Sequence, residues 1–257
     1  MAAFGGGRRR DPLETVALLA FIVLCAVATW VLAARHTGSS MSASAASLTP
    51  PPPPRPTPRT PPPPPPLPKE PVSLGEVTSR GDNGAKVVVI AYSEFKCPYC
   101  GAFARDTWPG LLKKYIDPGK VRFIFRHLPL DQLHPFARQA AKAAVCADRQ
   151  GKFWALHDVM FAHQAALDAT ELAKDVRAVG LDATRFAACL ADVAARRVEA
   201  DEATARSLGV TGTPTFFVGL VQPDGRVILK ERIGGARPIG DFEAALDRWL
   251  SAVGSTK

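Results

Sequence analysis

The chain has 257 residues, 47% of them hydrophobic, and a formal net charge of +8. That length allows one or two domains. The charge divides evenly, +4 in residues 1–71 (seven basic, three acidic) and +4 in residues 72–257 (25 basic, 21 acidic), so the larger part lacks the clustered basic face of a nucleic-acid binder and no nucleic-acid partner is expected.

Residues 1–14 carry Arg8, Arg9 and Arg10 and read as a cytoplasmic N-terminus. Residues 15–34 are an apolar stretch without a charge, from Thr15 to Ala34. At ~1.5 Å per residue such a helix is about 30 Å long, the thickness of the hydrocarbon core. Only Arg35 and His36 follow closely, so the positive-inside rule puts everything beyond them outside the cytoplasm. A cleaved signal peptide is the rival reading, with small residues at 41–46 as a cleavage site. Its apolar region is ordinarily shorter, at about 7–15 residues, which favours an uncleaved anchor. Either way, the rest of the chain lies in an oxidising compartment, the periplasm or the outside of a bacterial cell. Residues 35–71 form a Ser/Ala-rich and then Pro-rich linker, with Pro50–Pro54 and Pro61–Pro66 unbroken. Polyproline II at ~3.1 Å per residue makes this run a semi-rigid spacer of roughly 60 Å or more.

From Val72 the sequence reads as a folded domain. Val87-Val88-Val89-Ile90-Ala91-Tyr92 is an apolar run expected to be a buried strand. Cys97-Pro98-Tyr99-Cys100 follows it, and a helix is predicted from there to Tyr115, closed by Asp117-Pro118-Gly119. A C-x-x-C at a strand-to-helix junction puts its first cysteine at a helix N-terminus. There, free N–H groups and the positive end of the macrodipole favour a thiolate. Half a zinc site is the competing reading, but no second C-x-x-C is present, and Cys146 and Cys189 are single and far apart. No metal and no cofactor are expected.

Val121–Phe125 reads as a second strand. Helices are predicted over 131–150, 153–163, 170–179 and 183–208, with Thr170 and Asp182 as N-caps. Phe153, Trp154, Met160 and Phe161 are expected in the core of this block. Strands resume at Thr215–Gly219 and Val227–Ile233 around the turn Pro223-Asp224-Gly225, and Asp241–Leu250 is a closing amphipathic helix.

The order β-(CPYC)α-β, helical block, β-β-α resembles the thioredoxin fold, and the inserted helices resemble those of DsbA-type thiol–disulfide oxidoreductases. The resemblance rests on Cys97–Cys100, Arg126-His127-Leu128-Pro129-Leu130, Gln150-Gly151-Lys152-Phe153-Trp154 and Leu208-Gly209-Val210-Thr211-Gly212-Thr213-Pro214. It implies an α/β thioredoxin fold over residues 72–252 with a helical insertion at about 131–207, behind the anchor and linker. It also implies roles. Cys97 would be the nucleophile, the exposed sulfur that forms the mixed disulfide, and Cys100 its resolving partner. Pro98 and Tyr99 would tune the thiolate. Strongly oxidising relatives carry histidine where Tyr99 stands. Thr213-Pro214 would be the cis peptide facing the cysteines, with the Thr213 backbone pairing to a substrate peptide.

Glu94 either tunes the thiolate or is a solvated carboxylate at the strand end. Lys96 either supports the thiolate or points to solvent. The family's buried acid six residues before the first cysteine is here Ala91. Cys146 and Cys189 are expected to form a structural disulfide in an exported protein, the alternative being two buried thiols.

The expected activity is that of an exported protein-disulfide oxidoreductase, most simply a disulfide donor. Its substrates would be exported proteins with thiols or disulfides, and a membrane redox partner would recycle it. It would be a monomer anchored in the inner membrane. A reductase or isomerase working in the opposite direction is the alternative. A non-catalytic peptide-binding module is the third reading.

Overall fold

The computed structural model describes residues 63–254. The expected N-terminus (1–14), the anchor (15–34) and the linker as far as residue 62 lie outside the described residues. Among the described residues no helix is long and apolar enough to cross a membrane.

Five strands form one sheet in the order β1-β3-β2-β4-β5. β2 (Val87–Ser93) lies at its centre, parallel to β3 (Val121–His127) and antiparallel to β4 (Thr215–Val221). β5 (Val227–Gly234) pairs with β4, and β1 (Thr78–Arg80) pairs with β3 at the other edge. Every residue of β2 is buried. An unbroken β-branched run fits this place, because both faces of a central strand meet hydrocarbon. Val87, Val89 and Ala91 join one core with Phe123, Phe125 and Phe216, and Val88, Ile90 and Tyr92 join a second with Ile124 and Phe217.

The helix after β2, here α1 (residues 98–116), is not the regular helix that its periodicity predicts. α-Helical turns at Pro98–Ala102 and Trp108–Leu111 alternate with π-helical turns at Phe103–Thr107 and Leu112–Ile116. Pro109 has no N–H to give to the preceding turn, which accounts for widening next to it. α1 and the C-terminal helix α6 (Ile239–Gly254) pack on the Phe123/Phe216 face of the sheet through Phe103, Trp108 and Phe242.

Between β3 and β4 run α2 (Ala137–Asp148), α3 (Phe153–Ala162), α4 (Ala169–Ala178) and α5 (Ala183–Ser207). The predicted helix over 131–150 starts six residues late. Pro135 has no N–H to donate, and Phe136 takes a left-handed φ of 68°, so the helix cannot run through them. Residues 131–136 are instead a turn beside the end of the sheet. Asp168, not Thr170, caps α4 by accepting from the N–H groups of Thr170 and Glu171. Asp182 caps α5 by accepting from Arg185 N–H. α2 buries Ala140, Ala141, Ala143, Ala144 and Ala147, small residues that let α5 approach closely. A disulfide between Cys146 and Cys189 joins these two helices, with Cα atoms 5.6 Å apart. Phe153 and Met160 are fully buried, and Trp154 and Phe161 pack on the same core half-buried.

α5 is also tied to the sheet by charge. The guanidinium of Arg126 donates to Asp201 at 2.6 Å, and the same carboxylate accepts the backbone N–H of His127 at 3.0 Å. The imidazole of His127 is completely buried among Phe95, Phe125 and Phe153, and neither ring nitrogen has a partner. Burial pushes its pKa down from 6.5 to about 4. Because the folded pKa lies below the unfolded one, the unfolded chain takes up the proton first, and stability falls as pH drops from about 6.5 towards 4. Urea unfolding at pH 7.5 and at pH 5 tests this. The wild type should lose roughly 2 kcal/mol more between the two than His127→Leu does. Equal losses would show that His127 carries no such linkage.

Candidate active site

β2 delivers the chain to Ser93, and Glu94, Phe95 and Lys96 carry it to the start of α1. Cys97 occupies the N-cap, with extended backbone (φ −69°, ψ 120°), and Pro98 takes the first helical position. A proline suits that place, since its missing N–H would have had no helical partner. Cys97 accepts the first backbone hydrogen bond of the helix from Gly101 N–H at 3.1 Å. Cys100 lies one turn in, completely buried.

The two sulfurs are electrostatically opposite. The pKa of Cys97 is lowered to about 5, first by the Cys100 thiol donating to it, then by Thr213 and by the N–H groups of Cys100 and Tyr99, against the opposing effect of burial. That of Cys100 is raised well above the ordinary thiol value, first by burial and then by the neighbouring Cys97 sulfur. The Ser93 hydroxyl and the Glu94 N–H offset it in part. One turn of helix thus separates a ready thiolate from a thiol that holds its proton.

Cys97 is not the exposed sulfur that was expected: the residue is only 2% accessible. Its Sγ lies 3.3 Å from the carbonyl oxygen of Thr213, and the peptide between Thr213 and Pro214 is cis. That turn covers the sulfur from the β4 side. Thr213 Oγ1 is buried without a hydrogen-bond partner. The exposed member of the motif is Tyr99, at 67%.

Glu94 is completely buried rather than solvated. One carboxylate oxygen accepts Lys96 N–H at 3.0 Å, and the other meets Nδ1 of His134, from the 131–136 turn. Burial pushes the carboxyl pKa up, and the Lys96 N–H and His134 offset part of that rise. The ammonium of Lys96 donates to the carbonyl of Gln164 at 3.3 Å. Ala91 faces the core between Phe125 and Phe216, its partners in register.

Sequence reasoning missed two members of this site, His134 and Gln164. The amide of Gln164 donates to the carbonyls of Phe95 (2.8 Å) and Cys97 (2.9 Å), clasping the reactive loop to the insertion. Gly101 makes room for it: a Cβ there would sit 2.0 Å from Gln164 Oε1. Nothing local announces Gln164, which stands 67 residues from Cys97 in the chain. His134 had a faint signal, a polar residue between Leu133 and Pro135 in a turn that mirrors a strand end. The same turn exposes Leu133 (71%) and Phe136 (39%).

One group of described residues has metal-like geometry. Ligand atoms of His163, Glu171 and Asp175 lie within 4.8 Å of one another. They are engaged with each other and with a lysine: His163 Nδ1 is 2.7 Å from Asp175, and Lys174 donates to Glu171 at 3.0 Å. Neither cysteine belongs to the group.

Alkylation of the reduced protein should follow a single ionisation with a midpoint of about 5, all of it on Cys97, with Cys100 unlabelled at neutral pH. Glu94→Gln removes a negative charge that opposes the thiolate, so its midpoint should move further down. Mass spectrometry of the labelled peptide reads both outcomes. An unchanged or higher midpoint would remove Glu94 from the tuning of Cys97.

Comparison with known proteins agrees with this geometry. The model of the family described as Thioredoxin matches residues 74–231. Among curated proteins, the Na(+)/H(+) antiporter NhaA 3 of Salinispora tropica is 42% identical over 140 residues, which are 54% of this chain and 21% of that protein. NhaA of Herminiimonas arsenicoxydans is 39% identical over 140 residues, covering 54% and 22%. The chain thus spans about a fifth of the length of the curated relatives it matches. Among solved structures, α-DsbA1 of Wolbachia pipientis superposes with a TM-score of 0.62 at 26% identity, covering 70% of this chain and 94% of that one. BdbD of Bacillus subtilis, at 22% identity and a TM-score of 0.58, shares the fold over 72% and 98%. A helical block set between β3 and β4, a cysteine pair at the head of α1 and a family match spanning both lead to one assignment: the chain belongs to the thioredoxin family.

Proposed function

We propose that this chain is an exported, membrane-anchored protein thiol–disulfide oxidoreductase that donates the Cys97–Cys100 disulfide to dithiol substrates. The observation that carries the reading is the opposed ionisation of the two cysteines. A stabilised Cys97 thiolate favours the reduced form of the pair and so makes the oxidised form the better oxidant.

In the reaction, a substrate thiolate attacks Cys97 Sγ, breaks the Cys97–Cys100 bond and leaves on Cys100 the electron pair of that bond. Cys100, whose pKa is high, takes up a proton. A second substrate thiolate then attacks the substrate sulfur of the mixed disulfide and expels Cys97 as a thiolate, the better leaving group of the two. Two electrons pass from the substrate dithiol to the protein, and a membrane redox partner removes them. On this reading the Thr213 backbone, whose carbonyl lies beside Cys97 Sγ, would pair with that of an extended substrate.

The structural likeness to α-DsbA1 supports this chemistry, and the similarity of this segment to a fifth of several antiporters supports a place at a membrane. The chain would act as a monomer, with its redox domain on the outer face of the inner membrane.

Equilibration of the protein with glutathione buffers tests the direction. A potential of about −120 to −180 mV is expected for a donor, and about −230 to −270 mV would reassign the chain as a reductant. Cys97→Ser should abolish exchange with a dithiol peptide. Biological function surviving in that variant would make peptide binding, not redox chemistry, the role.

A further inference from the structure

A second site lies on the other side of Arg126. A cavity of about 570 Å³ opens between α5, the end of α2 and the strap of residues 73–76, and four arginines line it: Arg126, Arg149, Arg196 and Arg197. Glu76 is the only acid among the lining residues.

The donors at this place outnumber their acceptors. Arg197 is the critical case. It is only 9% exposed, yet its Nη2 has no partner, and its Nε reaches Asp201 only at 3.5 Å. Its Nη1 lies 3.7 Å from Glu76, whose own side chain is largely in solvent. A guanidinium has five N–H donors, and a buried one normally finds acceptors for them. The nearby acids are already committed. Asp201 serves Arg126 and the His127 N–H, Asp192 serves Arg196 at 2.7 Å, and Asp148 accepts the Thr78 hydroxyl at 2.7 Å. The Nε of Arg126 is likewise buried without a partner. Among the described residues the Arg149 guanidinium has no ion pair.

We propose that this cavity binds a phosphate group, held by Arg149, Arg196 and Arg197. Tetrahedral oxyanions offer several acceptors in different directions and so satisfy forks from more than one guanidinium, which a single carboxylate does not. The volume exceeds that of inorganic phosphate, which leaves room beside Leu74, Val193 and Ala200 for the organic part of a phosphate ester. Such a group is available from two sources, a soluble phosphate ester or a phospholipid headgroup. Both present the same phosphate chemistry to the three guanidiniums, and titration separates them.

Calorimetric titration of the full-length protein tests the site, with inorganic phosphate as the first probe and sodium chloride at matched ionic strength as the control. Saturable binding of one phosphate per chain is expected. Arg149→Gln combined with Arg196→Gln, both at exposed positions, should weaken it about tenfold or more, since each lost charge-assisted contact is worth a factor of that order. The unfolding temperature of the unliganded double variant should stay that of the wild type. Arg197→Gln should abolish binding, and its unfolding temperature reports whether the fold is kept. Glycerol 3-phosphate and monomeric dihexanoylphosphatidylglycerol then separate the sources, the tighter ligand naming the one that the site serves. Heat no larger than that of sodium chloride, or equal affinity in the double variant, would overturn the proposal.

Discussion

Everything at the redox centre depends on keeping two sulfurs, one helical turn apart, in opposite protonation states. Helix geometry supplies half of the solution. At the N-cap, Cys97 faces the N–H groups of Tyr99 and Cys100, which no preceding turn can use. Burial supplies the other half, because Cys100 points into hydrocarbon that penalises its charge. Both depend on β2. A central strand buried on both faces fixes where α1 must begin, and a shift of one residue would exchange the two faces of the strand.

The insertion completes that centre. Gln164 holds two carbonyls of the reactive loop, Lys96 returns a hydrogen bond to the Gln164 carbonyl, and His134 meets Glu94 from the turn at the start of the block. The helices thus brace the loop from one side, while the Thr213-Pro214 turn closes it from the other. The Arg126–Asp201 pair fixes the insertion's longest helix, α5, against β3. Desolvating both charges costs free energy, so such a pair specifies position more than it adds stability.

Strands β2 to β5 and the insertion helices were legible because their signals are local. Apolar runs, a Pro-Asp-Gly turn and glycines after helices each act within a few residues. Three features were not. β1 is three residues long and exists only because β3 offers it an edge. The late start of α2 came from Pro135 and Phe136, whose effect on the backbone outweighed an apolar periodicity that runs through them. The cap of α4 moved two residues from Thr170 to Asp168, where a carboxylate accepts two N–H groups at once. At the site, the cysteines and Thr213-Pro214 stood out as residue types in order. The burial of Cys97, the inward turn of Glu94 and the clasp of Gln164 are tertiary facts with no local mark.

Ala91 and Glu94 show where this strand can and cannot carry an acid. In register with Phe125 and Phe216, residue 91 faces an aromatic core, and an ionised carboxylate there would have no polar partner but the chain's own backbone. Glu94 sits three residues further on, past the end of the strand. There its N–H eases the charge on Cys100, and its carboxylate reaches His134, which is partly open to solvent. On the proposed mechanism, Cys100 must gain a proton as its disulfide opens and lose one as it closes again. A carboxylate whose pKa is raised by burial and an imidazole partly open to solvent lie together at the end of the strand that leads to the cysteines. An acid at the strand end has a backbone N–H and a surface histidine as partners, which a core position at residue 91 would lack.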